Sequence, residues 1–204
     1  MSQPTQIFLV RHAETTMIQE HLIHGHLDAP LSEKGLRDAR KTAAYFSGQS
    51  FDVLYSSSLG RVMATAGMIG EAIGLQPVPV DGLKERYYGW LEGKSLDWFE
   101  PDLTGSWLSR ILSQAILLAS GESEQHFTRR ILRSFKKIYD SHSGQRVMIV
   151  AHWGILSILT KYFRGEQMKD WQVVGPWTAC GITEAHLNGN GWQIMRLDDG
   201  RHLL

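Results

Sequence analysis

Three apolar runs in this chain lead directly into residues that can do polar chemistry. Ile7-Phe8-Leu9-Val10 is followed by Arg11-His12, Val147-Met148-Ile149-Val150 by Ala151-His152-Trp153-Gly154, and Val53-Leu54-Tyr55 by Ser56-Ser57-Ser58-Leu59-Gly60-Arg61. Ligands of an open α/β sheet gather at the carboxyl ends of its strands, so these segments would bring two arginines, two histidines and a set of hydroxyls to one crevice. A concave cationic site of this kind suits phosphate. Arginine presents a planar fork to pairs of phosphate oxygens, and histidine adds a donor or a nucleophile. Each residue alone has a plainer reading: a histidine after a strand is more often structural, Arg61 a solvated helix residue, and Ser56–Ser58 an N-cap cluster for the following helix. The repetition of histidine at two strand ends favours the chemical reading.

For these segments to meet, the runs must be strands of one sheet. Continuous apolar, partly β-branched runs mark strands covered on both faces, a pattern shared by Ile7–Val10 and Val147–Val150 and, more briefly, by Val53–Tyr55 and Val78-Pro79-Val80. Helical stretches lie between them. Ser32 is a plausible N-cap for a stripe of Leu36, Ala39, Ala43 and Phe46; Arg61–Ile73 reads as a helix stopped by Gly74; Ser123–Tyr139 places Phe127, Ile131, Leu132, Phe135 and Ile138 on one face. Alternating strands and helices predict an α/β fold, a three-layer α/β/α sandwich with a mostly parallel central sheet. Asn188-Gly189-Asn190-Gly191, between Ala185–Leu187 and Trp192–Leu197, predicts a terminal hairpin added to that sheet. With no repeat, low-complexity segment or linker, residues 1–204 read as one domain. Trp98, Trp107 and Ile116-Leu117-Leu118-Ala119 suggest a small helical cap inserted at about 94–122.

Composition removes other classes of function. The 204 residues hold 21 Lys+Arg against 21 Asp+Glu, so no nucleic-acid or anionic-membrane footprint is expected. A 43% hydrophobic content supplies a core. The single cysteine, Cys180, cannot form an internal disulfide, which points to a reducing compartment, the cytoplasm. The segment Met1–Gln6 has no positive charge ahead of its short apolar run, unlike a secretory signal. Apolar stretches such as Ile155–Leu159 fall far short of the roughly 18–20 residues that span a bilayer. His21, His24 and His26 cluster, but without carboxylate or cysteine partners at ligand spacing, so neither metal nor cofactor is expected. Trp171 and Trp177 are candidates for exposure at a homodimer interface or for core filling, the latter favoured, which leaves monomer or homodimer open.

Several segments together resemble those of the histidine phosphatases with the phosphoglycerate-mutase-like fold, in the branch that includes α-ribazole phosphatase. Leu9-Val10-Arg11-His12-Ala13-Glu14-Thr15 is similar to the family's Arg-His-Gly signature, with Ala13 for glycine. Leu27–Gly35, Ser56–Arg61 with Thr65-Ala66, Leu83–Gly93, Gly121-Glu122-Ser123 and Val147–Gly154 resemble further family segments, in the family's order. The resemblance implies that His12 is a nucleophile forming a phosphohistidine, that Arg11, Arg61 and His152 hold the phosphoryl oxygens, and that Glu85 is the general acid and base. Thr15, His24, Ser58 and Trp153 would join the substrate and phosphate site. The chemistry agrees: a neutral imidazole is a competent nucleophile near neutral pH, and its attack needs charge neutralisation and a proton for the leaving alkoxide.

The sequence also departs from the family pattern. Met17-Ile18 and Leu22 stand where a Trp-Asn pair and an arginine are usual, with His24 or His26 as possible compensation, and Trp153 replaces a glycine. The expected activity is hydrolysis of a small-molecule phosphate ester without a cofactor. The rivals are a phosphoglycerate-type mutase, against which Gly121-Glu122-Ser123 argues by resemblance, and a weakened phosphate-binding module. Glu85 competes with Glu14 and Glu92 for the acid role; taken alone it would be a surface glutamate paired with Lys84 or Arg86, although Tyr87-Tyr88 beside it can partly desolvate a carboxylate and suit it to act as an acid.

Overall fold

A computed structural model describes residues 3–96, 120–168, 175 and 177–204. Most of the expected cap falls on 97–119, and Trp171 on 169–174, outside the described residues.

The apolar runs become strands: β1 (Thr5–Arg11), β2 (Val53–Ser57), β3 (Val78–Val80) and β4 (Arg146–Ala151), joined by β5 (Ile182–Asn188) and β6 (Gly191–Asp199). They form one sheet in the order β3-β2-β4-β1-β5-β6. The first four are mutually parallel; β5 runs antiparallel to β1, and β6 antiparallel to β5. The helices are α1 (Thr16–Gln19), α2 (Glu33–Phe46), α3 (Gly60–Ile73), α4 (Glu124–Asp140) and α5 (Trp153–Phe163).

Period-two alternation divides the two central strands between two cores. Ile7, Leu9, Val147, Ile149 and Ala151 pack with α4 and α5, through Phe127, Ile131, Phe135, Ile155 and Leu159. Phe8, Val10, Met148 and Val150 pack on the opposite face with α2 and α3, through Phe46, Val62, Ala66 and Ile69. At about 1.5–3 kcal/mol per buried large side chain, this double burial dominates the stabilisation of the sheet. It produces the expected three layers.

Local signals set most boundaries. Ser32 Oγ accepts from Gly35 N at 2.9 Å and Ser123 Oγ from His126 N at 3.2 Å, capping α2 and α4. Gly74 ends α3 in the left-handed region, φ 73°. Three expectations need correction. Ser56–Ser58 do not cap α3, because its N-cap is Leu59 and its first amides, of Gly60 and Arg61, donate instead to the Asp28 carboxylate from a distant loop. The run Val78–Val80 is not covered on both faces, since β3 pairs only with β2 at the sheet edge and Val78 is exposed. Trp177 is not exposed; its ring is buried and its Nε1–H donates to Ser157 Oγ at 2.8 Å. Among the described residues, no helix is long and apolar enough to cross a membrane.

Candidate active site

Parallel register brings the strand ends level. Arg11 lies opposite Ala151 and Ser56 opposite Val150, and His12 N donates to Ala151 O at 2.9 Å. His12 and His152 therefore emerge side by side, with ring centroids 5.1 Å apart at 70°. His12 Nδ1 lies 2.8 Å from the Ala13 carbonyl oxygen. A carbonyl only accepts, so Nδ1 bears the proton and Nε2 keeps the lone pair. His152 has the opposite tautomer: its Nδ1 accepts from Arg61 Nη2 at 3.3 Å, leaving Nε2–H to donate to Ser57 Oγ at 2.9 Å.

Both imidazoles are buried. Burial first, and the Arg61 charge second, push both pKa values well below 6.5, with Arg11 adding to the effect on His12. Both rings are thus neutral at neutral pH. Arg61 is fixed from below, Nη1 donating to Leu27 O at 2.7 Å and Asp28 Oδ1 at 3.2 Å, and Nη2 to Gly25 O at 2.8 Å. Arg11 Nη1 donates to the Trp177 carbonyl. The Nε–H groups of Arg11 and Arg61 are buried and have no acceptor among the described residues. Buried donors normally have partners, and these two cationic ones act on the same ring, His12. Anionic oxygens are the acceptors they fit.

Glu85 follows a 3-10 turn at Asp81–Leu83 and is buried. Its Oε1 accepts from Arg86 N at 2.9 Å and its Oε2 from Gly154 N at 3.0 Å, which ties it to the turn after His152. A Cβ on Gly154 would lie 2.4 Å from Glu85 Oε1 and 3.0 Å from the Phe127 ring, so only glycine admits this approach. The surface-pair reading fails, because Lys84 pairs with Asp81 at 2.8 Å and Arg86 Nη1 with Glu124 at 3.7 Å. The competing carboxylates serve the loops: Glu14 Oε1 accepts from Ser32 Oγ and Gln19 Nε2, and Glu92 Oε1 from the backbone amides of His26 and Tyr88.

The remaining candidates divide. Thr15 caps α1 and its Oγ1 lies 2.6 Å from His24 Nε2. His24 belongs electrostatically to the site, for burial, then Arg61 and Arg11, lower its pKa to about 4. His26 instead reaches the Glu85 carbonyl, Nε2 to O 2.9 Å. Ser58 Oγ donates to Asp81 Oδ1 at 2.5 Å, engaged with the loop ahead of Glu85, and Trp153 packs against the α4–α5 core. Met17, Ile18 and Leu22 are half-buried. Sequence reasoning missed Asp28, Ser57 as the His152 partner, the Trp177 carbonyl, and Thr65, whose Oγ1 donates to Arg61 O and accepts from Ala13 N. Asp28 before Ala29-Pro30 offered a weak turn signal, whereas a backbone carbonyl offers none. Among the described residues, no group of three His, Cys, Asp or Glu side chains is placed to hold a metal ion.

A pH dependence follows from the three depressed histidines. As pH falls through about 6.5, the unfolded chain binds protons that the folded protein resists, so their share of stability is whole above about 6.5 and is lost as pH falls below it, the His24 share by about 4. The thermal midpoint is expected to drop across that window, less steeply in His24→Gln. An unchanged slope in that variant would contradict the burial of His24 beside the arginines.

Two neutral imidazoles, two guanidinium groups and one buried carboxylate thus meet at the carboxyl ends of the parallel strands of an α/β sandwich, an arrangement chemically suited to an anionic group such as phosphate. Residues 7–200 match the family described as the histidine phosphatase superfamily (branch 1). The chain is 32% identical over 197 residues to a Hydrogenobacter thermophilus protein named putative phosphoserine phosphatase 2, covering 95% of each. It is 31% identical over 209 residues to the metal-independent phosphoserine phosphatase of Arabidopsis thaliana, covering 99% of this chain and 84% of that one. The solved structure of Bacillus stearothermophilus YhfR shares the fold, with a TM-score of 0.84 at 24% identity over 98% of this chain and 100% of the other. The chain belongs to the histidine phosphatase superfamily, and is an enzyme of the phosphatase or mutase kind.

Proposed function

We propose that this enzyme hydrolyses a small phosphate monoester through a phosphohistidine on His12, without a metal ion. The observation that carries the reading is the His12 tautomer: Nδ1–H is pinned to the Ala13 carbonyl, so the Nε2 lone pair is held ready beside His152 and two buried guanidinium Nε–H donors that have no acceptor among the described residues. In the first step Nε2 attacks phosphorus and the ester P–O bond breaks, Glu85 giving its proton to the departing alkoxide. In the second, water attacks phosphorus, Glu85 takes a proton from it, and the P–N bond breaks to release phosphate. Arg11, Arg61 and His152 hold the phosphoryl oxygens through both steps. The anionic phosphoryl group opposes the cationic field that depresses His152, favouring its protonated form, in which Nδ1 gives up the bond it accepts from Arg61 and becomes a donor to the phosphoryl group. The names of the two relatives support hydrolysis over mutase action and make phosphoserine the first substrate to test.

Hydrolysis of p-nitrophenyl phosphate that is undiminished by a chelator supports this reading; strict dependence on added metal, or no hydrolysis at any pH, contradicts it, the latter in favour of a binding module. Replacing Arg61 or His152 with Ala is expected to cost on the order of 3 kcal/mol, about 10²-fold in kcat, and to weaken inhibition by vanadate. Unchanged vanadate inhibition in both variants would remove them from the phosphoryl site.

A further inference from the structure

Beyond the proposed phosphoryl site, a half-buried polar cluster grips the loop that carries Glu85. Arg130, on α4, uses all five of its N–H donors. Nε and Nη2 form a fork on Glu122, at 2.9 and 2.6 Å. Nη1 donates to the carbonyls of Gly82 at 3.1 Å and Lys84 at 2.9 Å, and Nη2 to that of Glu85 at 3.3 Å. The guanidinium also lies 5.2 Å from the centre of the Phe127 ring, the ring that approaches Gly154. Glu122 secures the far side of the loop, its N–H donating to Tyr87 O at 2.7 Å and its carbonyl accepting from Arg86 Nε at 2.8 Å. The Glu122 side chain is buried, which opposes ionisation, yet Arg130 holds its pKa below the ordinary value. The loop also presses on α4 at Gly82, where a Cβ would fall 1.9 Å from Ser134 Oγ.

None of these bonds from Arg130 goes to the Glu85 carboxylate; three go to the main chain at Gly82, Lys84 and Glu85. We infer that Arg130, oriented by Glu122, is a positioning residue for the proposed acid, fixing the backbone from which the Glu85 carboxylate is aimed. The inference rests on Glu85 being the proton donor. A general acid matters most for a poor leaving group, whereas a residue needed only for folding or for holding phosphate would affect all esters alike.

The test compares Arg130→Met, Glu85→Gln and the double variant on phosphoserine, an alkyl ester, and p-nitrophenyl phosphate, an activated aryl ester, with thermal midpoints measured alongside. Arg130→Met is expected to slow the alkyl ester by about 10–100-fold, the scale of a misplaced catalytic group, and the aryl ester only a few-fold. The double variant should be no slower on the alkyl ester than Glu85→Gln alone, as two changes to one unit are not additive. Equal losses on both esters, or multiplying losses in the double variant, overturn the inference. If Glu85→Gln is selective and Arg130→Met is not, only the positioning role falls; if Glu85→Gln is itself unselective, the acid assignment falls and takes this inference with it. Glu122→Gln, which keeps a neutral partner for Arg130, carries the same comparison if Arg130→Met does not fold.

Discussion

His12→Ala is expected to leave a folded protein with essentially no turnover. The ring is buried, but its specific bonds are few: Nδ1–H to the Ala13 carbonyl, and an edge contact with His152. Its loss removes no member of the apolar cores on either side of the sheet. It also removes a histidine that burial and two arginines force to stay neutral, so the thermal midpoint should hold or fall slightly. The chemistry has no substitute. His24 is tied to Thr15, and the one lone pair of His152, on Nδ1, faces the Arg61 guanidinium, which suits it to bind the phosphoryl group with Arg61 and not to attack it. Turnover should fall by at least about 10³-fold, as when a catalytic nucleophile is deleted. Steady-state hydrolysis and a melting curve on the same preparation check this, and residual activity above a few per cent in a folded variant would overturn the nucleophile assignment.

The second large effect is expected from Glu85→Gln, and its signature is dependence on the leaving group. Both carboxylate oxygens accept a backbone N–H, one from Arg86 and one from Gly154. A glutamine must turn its NH2 toward one of those donors, so the side chain loses one bond as well as its acidity. The lost bond acts on any substrate and should slow even an activated aryl phosphate a few-fold. Loss of the proton matters only where the leaving alkoxide needs one, so an alkyl phosphate should slow by about 10²–10⁴-fold, the usual range for acid–base catalysis. Equal losses would assign Glu85 to binding or folding. A selective loss in Glu14→Gln or Glu92→Gln, with none in Glu85→Gln, would move the acid to that residue.

The parts legible in the sequence were those whose physics is local. Strands β1 and β4 were readable because burial on both faces leaves an unbroken apolar run, and α2 and α4 because one apolar face repeats at helical spacing. The convergence of His12, Arg61 and His152 followed from their places just after parallel strands. Helix α5 was harder. From Gly154 to Lys161 every residue is buried, so no polar face marks its period and Ile155–Leu159 shows only as an apolar run. Roles dependent on distant contacts were invisible: Asp28 caps α3 from 32 residues away in the chain, and Trp177 reaches Arg11 through a carbonyl that any residue carries. Arg130 carries no local signal of its role, because nothing in the surrounding helix shows that its fork meets the Glu85 loop.

The account turns on a covalent bond between phosphorus and His12 Nε2. The direct measurement is rapid acid-free quenching of the wild-type enzyme during turnover of an isotopically labelled phosphate ester, followed by peptide mapping. The expected result is label on His12, stable in alkali and released by acid as a P–N bond is, and absent from His12→Ala. Steady turnover with no labelled enzyme and with inversion of configuration at phosphorus, the mark of a single displacement by water, would contradict it.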